Sequence, residues 1–295
     1  TECARCSSVC PATRTDKPLS PMKIITDIRT KLYAETINNK KTDDLIGGFI
    51  SETELWSCTT CGACMQECPV LIEHVPTIID MRRHLVLSEG KPPTQANESL
   101  EKTMQNGNPW GFSQQDRLKW SEQSEFTPPT LSEKNEVDIL YWVGCTGSYD
   151  PRNQNIALNM LKILETANVD YAVLGKEETC TGDSARRLGE EYLFETLAKQ
   201  NIETMNKYKF NKVVASCPHC MHTILNEYPD FGGDYEVVHH TELIEELIAT
   251  GKIEPNINSE ETITFHDPCY LGRHNKIYNE PRNILENVAK TENIL

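Results

Sequence analysis

The stretch Cys58-Thr-Thr-Cys61-Gly-Ala-Cys64-Met-Gln-Glu-Cys68-Pro69 determines how the first part of this chain folds. Its four cysteines are separated by two, two and three residues and are followed by proline, a spacing that binds [4Fe-4S] clusters. The first three thiolates of such a run hold one cluster, and the fourth reaches a second cluster. The run therefore predicts an iron-sulfur site that carries electrons.

An incomplete copy of this run lies at the start of the chain, where Cys3, Cys6 and Cys10 precede Pro11. The missing first cysteine of the copy would fall one residue before Thr1, so we expect the sequence to begin inside a two-cluster ferredoxin domain. The pattern assigns one cluster to Cys10, Cys58, Cys61 and Cys64. It assigns the other cluster to Cys3, Cys6, Cys68 and the cysteine that would precede the chain.

Two other uses of these cysteines fit the pattern less well. A structural zinc site favours two separated Cys-x-x-Cys pairs rather than one compressed run of four. A disulfide framework is typical of small secreted domains, whereas this chain has 295 residues and no stretch typical of a secretory signal. Iron-sulfur ligation is the favoured interpretation.

The composition is that of an ordinary globular protein, with 25% charged and 38% hydrophobic residues. Its 295 residues are enough for about two domains. No apolar run approaches the roughly 20 residues of a transmembrane helix. The net charge of −15 would repel a phosphate backbone, which argues against nucleic acid as a partner.

The pattern of apolar residues changes twice along the chain. Residues 1–95 are predicted to be mostly helical, with a helix that begins at Pro21 after the N-cap Ser20 and another over Thr77–Leu87. Residues 96–135 contain many proline and glycine breaks and are predicted to be an ordered connecting arm, anchored by its aromatic side chains. From residue 136, strands and helices alternate, which predicts a parallel sheet covered by helices on both faces. The predicted strands are Val137–Val143, Tyr171–Leu174, Lys212–Ser216, Tyr235–Val238 and Thr262–His266. The predicted helices are Arg152–Ala167, Ala185–Tyr208, Met221–Tyr228 and Thr241–Ala249.

Cysteines recur at the carboxyl ends of these predicted strands, where ligands gather in parallel sheets. Cys145, Cys217 and Cys269 each follow a strand, Cys180 lies in a strand-to-helix loop, and Cys220 shares a helix start with Cys217. Cys145, Cys180, Cys217 and Cys220 together offer enough thiolates for a cluster or a zinc ion. The run from Cys217 to Cys220 is also typical of a thioredoxin-like dithiol, so both interpretations remain open.

Four motifs carry a resemblance to a known family: Trp142-Val-Gly-Cys-Thr-Gly147, Glu178-Thr-Cys-Thr-Gly-Asp183, Cys217-Pro-His-Cys220 and His266-Asp-Pro-Cys-Tyr-Leu-Gly272. They resemble the cysteine-rich modules of the heterodisulfide reductase and glycolate oxidase iron-sulfur subunit superfamily. The chain is similar in particular to bacterial iron-sulfur oxidoreductases that work with electron-transfer flavoprotein and acyl-CoA dehydrogenases in fatty-acid oxidation.

The resemblance implies an α/β protein with an N-terminal all-helical ferredoxin domain and parallel-sheet cysteine-rich modules. The expected segments are the ferredoxin domain with two [4Fe-4S] clusters over 1–95, the arm over 96–135, a first module over 136–255 and the start of a second over 256–295. Cys269 matches the opening cysteine of the second module. In this family a membrane segment precedes the ferredoxin domain, which would place the whole protein at the cytoplasmic face of the cell membrane.

The implied function is an electron-transfer oxidoreductase that passes electrons from a flavoprotein toward a membrane quinone. No Gly-x-Gly-x-x-Gly motif follows a strand, so hydride chemistry is expected on a partner and no catalytic residue is assigned. Where the superfamily has Cys-Cys-Gly, this chain has Cys180-Thr181-Gly182, and Thr181 cannot supply the additional thiolate. The four remaining cysteines of the first module permit an ordinary cubane, with an empty structural module as the alternative.

Two other functions remain alternatives to electron transfer from a flavoprotein. One is a subunit that reduces disulfides or serves a 2-hydroxy-acid oxidase, such as a glycolate or lactate oxidase. The other is a zinc-stabilised interaction scaffold, which iron and sulfide analysis would distinguish from both redox functions.

Overall fold

The computed structural model describes residues 2–123, 126–255 and 262–289. The chain forms two compact units. Unit 1 contains the residues up to Thr94 together with Ser184–Glu191. Unit 2 contains Gln95–Asp183 and the residues from Tyr192 onward. Within the described ranges, no helix is both long enough and apolar enough to cross a membrane.

The regular elements described between residues 2 and 93 are helices, as the sequence predicts. They are α1 (Arg5–Ser8), α2 (Pro11–Arg14), α3 (Pro21–Thr36), α4 (Glu52–Trp56), α5 (Ala63–Gln66) and α6 (His74–Arg83), with an irregular turn over Leu45–Phe49 and a π-helical turn over His84–Ser88. The predicted cap of α3 is confirmed, since Ser20 Oγ accepts from the Lys23 amide at 3.4 Å. The core of unit 1 comprises Cys10, Ala12, Leu19, Ile24, Ile50, Leu55, Ile78, Met81 and Leu85.

From Thr94 onward, helices and strands alternate. They are α7 (Thr94–Asn106), α8 (Leu131–Lys134), β1 (Glu136–Trp142), α9 (Gly144–Tyr149), α10 (Pro151–Thr166), β2 (Tyr171–Ala172), α11 (Asp183–Leu188), α12 (Glu191–Met205), β3 (Lys209–Ala215), α13 (Pro218–Asn226), β4 (Val237–His239), α14 (His240–Ala249), α15 (Gly272–Asn275) and α16 (Asn279–Val288). Short 3-10 turns cover Gln114–Asp116, Lys119–Gln123, Gly175–Glu177 and Tyr228–Phe231.

The four strands form one parallel sheet in the order β2-β1-β3-β4, which confirms the predicted parallel sheet. In the central pair, Leu140 of β1 is in register with Val213 of β3. The four consecutive residues Ile139–Trp142 are all buried, as expected for a strand covered on both faces. One face packs on α10 and α14 through a core that includes Ile139, Tyr141, Val143, Met160, Leu161, Leu164, Val214, Leu243 and Leu247.

The predicted long helix over Ala185–Tyr208 is wrong, because the helix is interrupted at Gly189, between α11 and α12. Gly189 has φ +88°, and a Cβ atom there would lie 2.6 Å from the backbone carbonyl carbon of Arg82. Only glycine permits this approach, since any side chain would overlap the α6 backbone. The break lets Ser184–Glu191 pack within unit 1, where the Arg187 carbonyl accepts from Arg82 Nη1 at 2.9 Å.

Two further predictions differ from the structure. The predicted strand over Thr262–His266 is wrong, since among these residues only Ile263 takes part in an isolated bridge. The connecting arm includes α7, whose sequence is so polar that only Leu100 and Thr103 are buried. The arm is anchored by aromatic residues as predicted, because Trp120 is buried in the sheet core and the Phe112 ring lies 5.4 Å from that of Tyr149.

Candidate functional site

Four cysteines of unit 1 surround one cavity. Cys10 is the N-cap residue of α2, Cys58 and Cys61 lie between α4 and α5, and Cys64 lies within α5. Apolar side chains and turns complete the lining, which includes Pro11, Ala12, Leu19, Pro21, Val75 and Ile78. These four cysteines are the set that the ferredoxin spacing assigns to a single cluster.

Local contacts fix the segment that carries Cys58. Ser51 and Glu54 form a reciprocal capping box at the start of α4, with the Ser51 amide donating to Glu54 Oε2 at 2.8 Å. After the helix, the Cys58 carbonyl accepts from Arg82 Nη2 at 2.6 Å, and the Leu55 carbonyl accepts from the same nitrogen at 2.6 Å. Arg82 is buried, so these bonds hold the turn before Cys61 in place.

Electrostatics around this cavity oppose four free thiolates. Burial raises the pKa of Cys64 to about 12, and the neighbouring Cys58, Cys61 and Cys10 add to the rise. Burial also raises the pKa of Cys58, although the Thr60 amide, 3.4 Å from its sulfur, and the Arg82 charge oppose the rise. Crowded, buried thiols lose their protons readily only when a cation replaces them, so the donor set suits a metal cluster.

Cys6 and Cys68 are two further cysteines of unit 1. Both are buried, and Cys6 lies in α1 against Cys64, Val75 and Ile79. Burial raises the pKa of Cys6, and the charge of Cys68 contributes in the same direction, which places the two thiols within electrostatic range. The Ile72 amide donates to Cys68 Sγ at 3.2 Å. Cys3, the third cysteine of the predicted set, is exposed.

Four cysteines of unit 2 also converge. Cys145 follows β1 at the start of α9, Cys180 precedes α11, and Cys217 and Cys220 open α13 after β3. The charges of Cys145 and Cys180 both act on Cys220. Gly144, which precedes Cys145, has φ +76°, a backbone conformation that glycine adopts without strain. The sheet thus brings together the four cysteines that strand ends alone predict to be close.

Each of these thiols has a hydrogen-bond donor nearby. Cys180 hydrogen-bonds to Cys145 and lowers its pKa, and Cys220 does the same for Cys217, whereas the pKa values of both partners are raised. The Gly182 amide lies 3.4 Å from Cys180 Sγ, and Thr181 Oγ1 lies 3.9 Å from Cys220 Sγ. Thr181, which replaces the family cysteine, therefore faces the same thiol group as a hydroxyl donor.

A buried ion pair beside Cys145 is not evident from the sequence. Arg117 and Glu178 are each 1% exposed, and Arg117 Nη2 donates to Glu178 Oε1 at 2.5 Å. The same nitrogen lies 3.6 Å from Cys145 Sγ. Glu178 also accepts from the Val143 amide at 3.1 Å and the Gly144 amide at 2.9 Å. Glu178 lies in a recognised motif, but no local pattern connects Arg117 in the arm with it.

Cys269 is half-buried beside Tyr270, at the start of the segment that the family resemblance assigns to a second module. The centre of the Tyr270 ring lies 4.2 Å from that of His274, on which it stacks, and 3.9 Å from that of the tilted His219 ring. His219 Nδ1 also lies 2.9 Å from Asp183 Oδ2. These contacts give His219 packing and hydrogen-bonding partners.

All twelve cysteines lie in the described ranges, and none of them forms a disulfide. In the described parts of the chain, no three His, Cys, Asp or Glu side chains are close enough to hold a single metal ion.

Two family models match the chain. The 4Fe-4S dicluster domain matches residues 1–72, and the Cysteine-rich domain matches residues 139–225 and 263–295. The first match confirms the prediction of [4Fe-4S] clusters as the cofactor type. Together with the cysteine groups of both units, the matches define the class as an iron-sulfur protein that combines a ferredoxin-type domain with cysteine-rich modules.

Curated relatives agree with this class. The chain is 41% identical to the probable iron-sulfur-binding oxidoreductase FadF of Bacillus subtilis, over 97% of this chain and 46% of the relative. It is 37% identical to the EtfAB:quinone oxidoreductase of Syntrophomonas wolfei, over 96% of this chain and 44% of the relative. It is 30% identical to one of the subunits of the dihydromethanophenazine:CoB--CoM heterodisulfide reductase of Methanosarcina mazei, over 98% of this chain and 72% of the relative.

The chain belongs to the superfamily of cysteine-rich iron-sulfur proteins that includes this heterodisulfide reductase polypeptide and the FadF-type oxidoreductases. It spans less than half the length of the first two relatives, 46% and 44%. No solved structure matches the chain.

Proposed function

We propose that this chain is the electron-carrying part of an iron-sulfur oxidoreductase that passes electrons from a flavoprotein toward a membrane quinone. The observation that carries the proposal is the convergence of Cys10, Cys58, Cys61 and Cys64 on one cavity within the dicluster domain match. The name of the Syntrophomonas wolfei relative supports electron-transfer flavoprotein as donor and quinone as acceptor. A quinone acceptor would place the whole protein at the cytoplasmic face of the cell membrane.

The ligand sets follow from the grouping of thiols. We assign one [4Fe-4S] cluster to Cys10, Cys58, Cys61 and Cys64, and three ligands of a second to Cys3, Cys6 and Cys68. Such a cluster accepts and releases one electron at a time. The protein supplies an apolar wall that includes Val75 and Ile78, and backbone amides that donate to Cys58 and Cys68. Amide donors to sulfur stabilise the added negative charge and raise the reduction potential.

We assign a further cubane to Cys145, Cys180, Cys217 and Cys220 of the first cysteine-rich module. Their convergence and the donors around each sulfur support a four-thiolate site. Cys269 is assigned to the second module, as the residue that opens its ligand set. The domain boundaries at residues 95, 135 and 255 belong to the same proposal.

The first test is metal analysis of anaerobically purified protein. We expect iron and acid-labile sulfide in equal amounts, with interacting [4Fe-4S] signals in electron paramagnetic resonance spectra after dithionite reduction. Cys64→Ser should remove about four irons per chain, whereas Met65→Leu should remove none. Zinc without sulfide would refute electron transfer and support an interaction scaffold.

The second test identifies the donor. Reduced electron-transfer flavoprotein should reduce the wild-type protein rapidly and the Cys64→Ser variant slowly. The lowered pKa of Cys217 favours one competing function, disulfide reduction by the Cys217–Cys220 pair. Disulfide reduction by the iron-free protein would favour this competing function. Electron uptake from a 2-hydroxy-acid oxidase, but not from electron-transfer flavoprotein, would favour a subunit that serves such an oxidase.

A further inference from the structure

The ion pair with Glu178 uses only one of the three nitrogen atoms of the buried Arg117 side chain. Its Nη2 atom donates to Glu178 Oε1, but its Nε and Nη1 atoms have no hydrogen-bond partner among the described residues. Arginine–carboxylate pairs frequently use the planar fork of the guanidinium in two parallel bonds, whereas this pair has one. Unsatisfied buried N–H groups are destabilising, so this arrangement leaves the guanidinium able to interact with a further anion.

Arg117 also approaches the cysteines of the first module. Its Nη2 atom lies 3.6 Å from Cys145 Sγ, and its Cζ atom lies 5.7 Å from the centre of the Tyr149 ring. Glu178 only partly offsets the positive charge at this position, because its oxygens also accept from the amides of Val143 and Gly144. The guanidinium therefore retains a net attraction for negative charge at Cys145.

We propose that Arg117 is a positioning residue of the first cysteine-rich module, which compensates the negative charge of the site formed by Cys145, Cys180, Cys217 and Cys220. The inference rests on the proposed cluster in this module. Reduction adds one electron and hence one negative charge to the site, so a fixed cation beside Cys145 stabilises the reduced form. Glu178 holds the guanidinium in place and opposes its effect on the potential.

The test compares four variants in the complete protein, prepared without oxygen and reduced stepwise with dithionite. Loss of one resonance signal in Cys217→Ser assigns that signal to the first module. In Arg117→Gln the reduction potential of the site that gives this signal should fall by at least about 59 mV, which corresponds to a tenfold smaller equilibrium constant for electron uptake. Arg117→Lys should restore most of the shift because it retains the charge, and Arg152→Gln, an exposed change in the same unit, should leave it unaltered.

Glu178→Gln separates charge compensation from a purely structural pair. If Arg117 stabilises the reduced site, removal of the opposing carboxylate should move the potential upward, opposite to Arg117→Gln. A structural pair would instead give shifts of the same sign in both variants, or none, and either result would overturn the inference. If Cys217→Ser removes no signal and no iron, the assignment of a cluster to this module fails, and the inference about Arg117 fails with it.

Discussion

The substitution Glu178→Ala should destabilise unit 2 far more than its single lost ion pair suggests. The carboxylate is 1% exposed and accepts three N–H groups, from Arg117, Val143 and Gly144. Its removal leaves the Arg117 charge buried without its counterion, which typically costs about 3–5 kcal/mol. At about 2–4 °C per kcal/mol for a unit of this size, the midpoint of thermal unfolding should fall by roughly 6–20 °C.

The matched control is Asp170→Ala in the same unit. Asp170 pairs with Lys134 at 2.7 Å, but the two side chains are 50% and 40% exposed. Exposed pairs contribute about 0–1 kcal/mol, so this variant should unfold within a few degrees of wild type. Circular dichroism at 222 nm measures both midpoints. Equal, small shifts in the two variants would refute the argument that burial makes Glu178 indispensable.

Three other changes have defined outcomes. Gly189→Ala should lower the stability of unit 1 by about 2 kcal/mol or more, because it adds an overlap with the α6 backbone to the strain of a positive φ. The control Gly232→Ala meets no atom within 4 Å and should lower the stability by the strain alone, about 1–2 kcal/mol. Equal shifts of the chemical-denaturation midpoint in the two variants would contradict this. Thr181→Cys, with its side chain 3.9 Å from a thiol of the first module, should alter the resonance spectrum of the cluster proposed for that module alone, and an unchanged spectrum would show that residue 181 does not face this proposed cluster. Burial lowers the pKa of His239 to about 3. The stability that its neutral imidazole contributes is complete above about pH 6.5 and falls by about 1.4 kcal/mol per pH unit as the pH drops from there toward the lowered pKa. His239→Gln should unfold with a shallower acid dependence, and identical profiles would refute a buried neutral imidazole.

The parts that follow from sequence are those set by short-range periodicity. The spacing of Cys58, Cys61 and Cys64 fixes how the turns around α5 present their thiols, and alternation of apolar segments is sufficient to predict the parallel sheet. The position of Cys145 after a strand likewise places it at the sheet edge where ligands gather. The grouping of these cysteines is therefore predictable from the sequence alone.

The parts that do not follow from sequence depend on contacts between distant segments. Arg117 lies 61 positions before Glu178 and in a stretch without regular periodicity, so no local pattern connects them. Helix α7 is polar enough to resemble a loop, and the break at Gly189 is required by the α6 backbone rather than by its neighbours in sequence. In each case a tertiary contact overrides local propensity.

The inclusion of Ser184–Glu191 in unit 1 has a consequence for how the protein is synthesised. The Arg187 carbonyl that receives Arg82 Nη1 leaves the ribosome about one hundred residues after Arg82 itself. At typical rates of translation, the last segment of unit 1 is therefore synthesised roughly 5–20 s after Arg82. During that interval the newly made cysteines of α1–α5 belong to an unfinished domain, so cluster insertion into the nascent chain must either precede this final packing step or await it.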